Sequence, residues 1–346
     1  NTAVGANALK GFTTGQYNVA IGKDAGTAMT TANYNTIVGA WAGDALTIAG
    51  YNTVVGMQAL SDATDGANYN NCFGYHAGKA ITSGDYNILI GNNAGDTMTD
   101  TSKTVLIGDS AGTAINHADA DGTVAIGYQA GLALTSGDGN TAVGYQALLS
   151  CTDDAQSTAI GYQALATANG ASGNNARNTA VGYKAGYDIT DGQYNALVGH
   201  QAGTNLTSGQ RNCVLGLSAL GSATTDGRNV AIGYTALVNQ NTAGSSAYNI
   251  GIGYEAGYGI TTGVHNIAIG ANAEAGTTGT GSIAIGYQAS GSAAGTNQIM
   301  IGSGSVTIGD NTTVIGNDST TVTYLRGNIS GSSTSTGSFG HGYIDG

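Results

Sequence analysis

Apolar residues return along this chain at a fixed interval, in runs of three between an Asn and a Gly. The run Asn1-Thr2-Ala3-Val4-Gly5 comes back as Asn18-Val19-Ala20-Ile21-Gly22, Asn35-Thr36-Ile37-Val38-Gly39 and Asn52-Thr53-Val54-Val55-Gly56. The closing glycines continue through Gly127, Gly199 and Gly270 to Gly302, most of them 17 residues apart. A period of this length marks a solenoid, in which each coil completes its core only against its neighbours. A run of three apolar residues is too short for a helix and reads as a strand. The pattern therefore predicts an all-β fold over 1–303, a parallel β-roll of about 17-residue coils.

Side chains alternate across a strand, so the residues one and three past the Asn share a face. That face is expected to be the coil core. The intervening residue (Ala20, Ile37, Val54, Cys72, Leu89) is then expected to point outward, yet it is apolar too. A strand apolar on both faces must be covered on both. A thin coil covers one, so a second copy of the chain is expected on the other. Seventeen such coils would make a rod of roughly 80 Å. Three residues past each closing Gly from Gly5 to Gly286 stands Ala, from Ala8 and Ala25 to Ala273 and Ala289. A position restricted to a methyl group implies close backbone approach. The next residue is usually Gly or Leu, and turns such as Thr82-Ser83-Gly84 follow. Asn18, Asn35, Asn52, Asn140, Asn178 and Asn195 stand in one column, where stacked amides are expected to form a structural ladder.

The spacing lengthens over Ser61 to Tyr69, Ile115 to Gly122, Ala166 to Arg177 and Val238 to Tyr248. Insertions in a solenoid map to loops on one face, often the binding face. Past residue 303 the spacing shortens, with Val306, Val314 and Val322 recurring every 8 residues. Such a period suits three chains wound together, so 304–346 is expected to be an intertwined trimeric β tail.

The Asn-x-Ala-Ile/Val-Gly repeat resembles the YadA-like head of trimeric autotransporter adhesins, and the likeness spans nearly all of 1–303. It implies a left-handed parallel β-roll, three of which pack around one axis. The 17-residue coil is slightly longer than the adhesin repeat, and no coiled-coil stalk or membrane barrel is seen. The segment Thr323-Tyr324-Leu325-Arg326-Gly327-Asn328-Ile329-Ser330-Gly331, with the Ser/Thr/Gly-rich stretch to Gly340, resembles bacteriophage tail-fibre proteins. Together the resemblances imply a homotrimeric viral tail fibre attached to a host-surface glycan or protein receptor, located on the virion or another extracellular surface. The alternative is the head of a bacterial adhesin.

Composition narrows the chemistry. The chain has 59 Gly, no Pro and 9% charged residues, where ordinary domains carry about 25%. Without Pro or a three-residue Gly period it is not collagen. A net charge of −12 and the lack of a basic patch argue against nucleic acid as a partner. The chain opens inside a repeat at Asn1, and neither a signal peptide nor an apolar run of about 18 residues is read in it, so no membrane insertion is expected. His76, His117, His200, His265 and His341 fall on different coils, without partners at metal-ligand spacing. Asp119 and Asp121 fall short of the roughly six oxygens that calcium takes. No catalytic set, metal or cofactor is expected. Cys72, Cys151 and Cys213 are expected to be buried free thiols acting as small hydrophobes.

Aromatic residues fall in two columns. Tyr17, Tyr34, Tyr51, Tyr69, Tyr86, Tyr194 and Tyr248 precede the strand Asn. Tyr75, Tyr128, Tyr145, Tyr162, Tyr183, Tyr234, Tyr254 and Tyr287 follow the closing Gly. Packing between chains or over coil edges is expected, with a sugar-binding surface as the alternative. Tyr187 and Tyr258 stand outside both columns. Trp41 stands in a column otherwise filled by Asn7, Asp24, Gln58, His76 and Gln129, which reads as solvent-facing. Trp41, Tyr187, Tyr258 and Arg177 are the candidate surface contacts. An ice-binding face would need a Thr-x-Thr array. Thr fills only part of the column after the Asn, and that column is expected to face the core.

Overall fold

In each coil the Asn before the strand and the Gly after it set the strand length. A computed structural model describes residues 1–153, 155–169, 176–242, 246–307, 309–321 and 323. It is a parallel β-solenoid of about 18 turns. Among the described residues 19 strands run from β1 (Thr2–Val4) to β19 (Thr313–Ile315), and each holds three residues. Every strand pairs in parallel with the strand of the next coil. Thr2 lies opposite Val19 and Val19 opposite Thr36, while Cys213 lies opposite Val230. Among the described residues the only helix is one 3-10 turn, Ala118–Ala120.

Backbone geometry explains the punctuation. In most coils three positions take the left-handed conformation, as in Tyr34 (φ 59), Trp41 (φ 55) and Gly43 (φ 51). They turn the chain so that 17 residues close one coil. The glycine ending each strand, from Gly5 to Gly302, has φ between 127 and 148. L residues rarely adopt that region. At Gly270 an added Cβ would also stand 2.6 Å from the carbonyl oxygen of Gly286 in the next coil. Stacked backbone thus excludes any side chain along this column.

The strand faces are the reverse of those expected from sequence. The residue two past the Asn points inward: Ala20, Ile37, Val54, Cys72, Leu89 and Leu106 are fully buried. The residues one and three past the Asn point outward, as in Ile88–Ile90, where the outer two are exposed and Leu89 is buried. The reason is the Asn itself. Its amide is buried and bonded within the stack, and alternation puts the residue two further on beside it. Ile232 accordingly lies on the outward face and Ala231 in the core. The column after the Asn also faces out, but every strand ends in Val, Ile, Leu or Phe, so no Thr-x-Thr array forms.

Core volume is balanced within most coils. As far as Gly257, four residues past the closing Gly stands either Gly or Leu, and in most of these coils the size reverses three residues later. Gly43 goes with Leu46, Gly78 with Ile81 and Gly95 with Met98, while Leu60 goes with Ala63 and Leu165 with Ala168; all these side chains are buried. An added Cβ on Gly43 would stand 2.8 Å from Leu46 Cδ1, so the two positions fill one space.

The parallel stack continues past residue 303. β19 pairs in register with β18 (Ile299–Ile301), placing Thr313 opposite Ile299. Of the valines spaced 8 apart, Val314 is a strand residue and Val306 forms a single parallel bridge with Ser290. Val322, and the tail-fibre-like segment from residue 324 to 346, lie outside the described residues.

Candidate functional site

The inner surface of most coils is closed by a buried amide, and of the rest mainly by a buried hydroxyl. Asn18 Oδ1 accepts from the Asn35 N–H at 2.9 Å and from Asn35 Nδ2 at 3.1 Å, and Asn35 Nδ2 also donates to Ala49 O at 3.0 Å. Asn52 repeats this on Asn35, and Asn195 on Asn178, with N–H bonds of 2.9 Å each. Asn140 Oδ1 accepts from the Ser157 N–H at 3.0 Å, and Ser157 Oγ accepts from the Asn178 N–H at 3.3 Å. The ladder is buried and offers nothing to a ligand.

The outward strand face carries large apolar side chains that stay exposed among the described residues. Ile21, Phe73, Ile90, Leu215, Ile285 and Ile301 stand exposed on it, Leu215 to 50%. Cys213 is also exposed, which corrects the expectation of a buried thiol. It stands one past its Asn, on the outward face. Cys72 and Cys151 are buried, and burial pushes the Cys72 thiol up to about 12.

Tyrosines bracket this face in stacks. Tyr17, Tyr34, Tyr51, Tyr69 and Tyr86 form one run, with centroid separations of 4.7 to 5.0 Å. Tyr128, Tyr145, Tyr162 and Tyr183 form another at 5.0 to 5.2 Å, capped by His200 at 4.8 Å. Rings packed this way spend their faces on one another, which leaves edges and hydroxyls for solvent. Further along the first column the cations interleave. Tyr194 lies between Arg177 (5.6 Å) and Arg211 (5.4 Å), and Arg228 stacks on Tyr248 at 5.2 Å. Arg177 Nε donates to Gln156 Oε1 at 3.0 Å. Among the described residues no arginine joins an ion pair.

The four candidate contacts are not brought together. Trp41 follows β3 (Thr36–Val38), Tyr187 follows β11 (Thr179–Val181) and Tyr258 follows β15 (Ile250–Ile252), while Arg177 precedes β11. Tyr187 packs under Lys184 Nζ at 4.8 Å, and Tyr258 is exposed. Parts of the longer spacings, 170–175 and 243–245, lie outside the described residues.

Trp41 does have neighbours. It lines a groove of about 370 Å³ with Asp44, Ala45, Gln58, Ser61 and Asp62. Lys23 Nζ sits 4.8 Å from the indole centroid and 3.7 Å from the Asp24 carboxylate. Gln58 Oε1 is hydrogen-bonded to His76 Nε2 at 2.9 Å. Burial raises the Asp44 carboxyl above its ordinary value; its own N–H opposes this, and Asp62 and Asp24 add to it. These partners were missed from sequence, although the coil period was a signal: one period beyond Trp41 is Gln58, and one beyond Asp44 is Ser61.

No protein-family model matches this chain, and no curated protein matches it. Among the described residues no three His, Cys, Asp or Glu gather as a metal site, and no helix is long and apolar enough to cross a membrane.

Proposed function

We propose that the chain is one strand of a homotrimeric surface-attachment fibre, of the kind that phage tail fibres are, with the repeat rod as spacer and recognition surface. One observation carries this reading: on the outward face the residue ending each strand is Val, Ile, Leu or Phe at every level of the stack, and among the described residues none of these side chains is buried. Soluble monomers rarely expose contiguous apolar patches of more than a few hundred Å². A parallel sheet is normally covered on both faces. Parallel copies packed around an axis along the rod cover this face at every level, and the resemblance to adhesin heads implies three. The same repeat favours a second reading, the head of a bacterial trimeric adhesin. In both, the partner is a host-cell surface glycan or protein.

Sedimentation in native buffer is expected to give about three times the 34.1 kDa chain mass. Cys213 adds a local reporter. It is expected to resist alkylation in the native assembly and to react once the assembly is dissociated. A folded monomer with a freely reactive Cys213 would sink the proposal.

A further inference from the structure

The Trp41 groove breaks the repeat. Its column carries Asn, Asp or Gln in neighbouring coils, residues that tolerate the left-handed backbone, whereas Trp41 holds φ 55 with a bulky ring. Trp41 is 37% exposed. Around it stand groups that mostly accept hydrogen bonds. Asp44 and Asp62 as carboxylates only accept, and Ser61 Oγ already donates to Asp62 Oδ1 at 3.1 Å. The nearest cation, Lys23, is engaged by Asp24 and the indole. The groove is built from the segment after the closing Gly, not from the strand, so it lies off the apolar face.

We propose that this groove is a binding subsite for one unit of a neutral, hydroxyl-rich glycan. The part of the indole left exposed beside Lys23 suits the C–H face of a sugar ring. The carboxylates suit hydroxyl donors, and the Gln58 amide nitrogen suits a hydroxyl oxygen as acceptor. The same carboxylates, on a chain of net charge −12, repel sugars bearing carboxylate or sulfate. The inference rests on the attachment reading and gives it a ligand class.

Trp41 is the only tryptophan, so indole fluorescence reports this groove alone. The full chain is titrated with cellohexaose, maltohexaose and chitohexaose, and with polygalacturonate as the acidic probe. A saturable change with at least one neutral probe is expected, and none with polygalacturonate. Trp41→Asn, a residue this column carries elsewhere at similar φ, is expected to abolish binding of the same probe by calorimetry while leaving the melting temperature unchanged. Asp62→Asn is expected to weaken binding about tenfold. Polygalacturonate binding as tightly as the neutral probes, no response to any neutral probe, or unchanged calorimetric binding by Trp41→Asn would each overturn the subsite. Failure of the attachment reading would show separately, as a monomer in sedimentation.

Discussion

At Gly78 an added Cβ would stand 2.6 Å from Leu89 Cδ1 and 2.9 Å from Ile81 Cδ1. In the coil before it, Leu60 fills the equivalent space and Ala63 yields it. Gly78→Leu alone is expected to overpack the core and cost about 1–3 kcal/mol. Ile81→Ala alone leaves a cavity and costs about 2–5 kcal/mol. The double substitution restores the Leu60 and Ala63 pairing, although Leu89 stands where Cys72 does beside Leu60, and Leu60 itself holds φ 50, so the backbone accepts it. Denaturant melts should show the double variant less damaged than the sum of the singles; simple additivity would mean that the positions do not share one space. Sequence made the choice of Gly or Leu legible. Its partner three residues on was not read, because that spacing has meaning only once both residues are known to face one interior.

The strand was legible as an element, and its register followed from the 17-residue period. Its inner face was not legible, because Val, Ile and Ala occupy both sides and hydropathy alone ranks the outward pair as more core-like. The buried amide settles the matter. Asn195 Oδ1 accepts from the Asn212 N–H at 3.0 Å, and Asn195 Nδ2 donates to Gly209 O at 2.9 Å. Asn195→Ala strands both backbone groups in a dry interior, at about 1–3 kcal/mol for each. Asn195→Ser should cost less, because Ser157 already accepts a neighbour's N–H in the same column. Thermal melts of the two variants give the comparison, and equal losses would mean that the hydrogen bond to the next coil contributes little.

For the whole molecule, neighbouring strand positions should fail in different ways. Ala231→Asp buries an unpaired charge inside its coil and is expected to cost several kcal/mol there. Because solenoids are stabilised coil by coil, hydrogen-exchange protection should fall near β14 (Val230–Ile232) and persist far along the rod. Ile232→Asp places its charge on the outward face instead. The single chain should keep its far-ultraviolet β signal while sedimentation shifts from trimer to monomer. An intact trimer carrying Ile232→Asp would mean that this face is not the seam. The in-register joint between coils has a longer reach. Each joint repeats the strand pairing and the glycine contact of the one before it, so losing or duplicating a 17-residue unit leaves the flanking joints much as they were. Reach then changes in fixed increments of about 4.8 Å. Length in this molecule is a tally kept in the gene, and unequal exchange between adjacent copies adjusts it without a new fold having to arise.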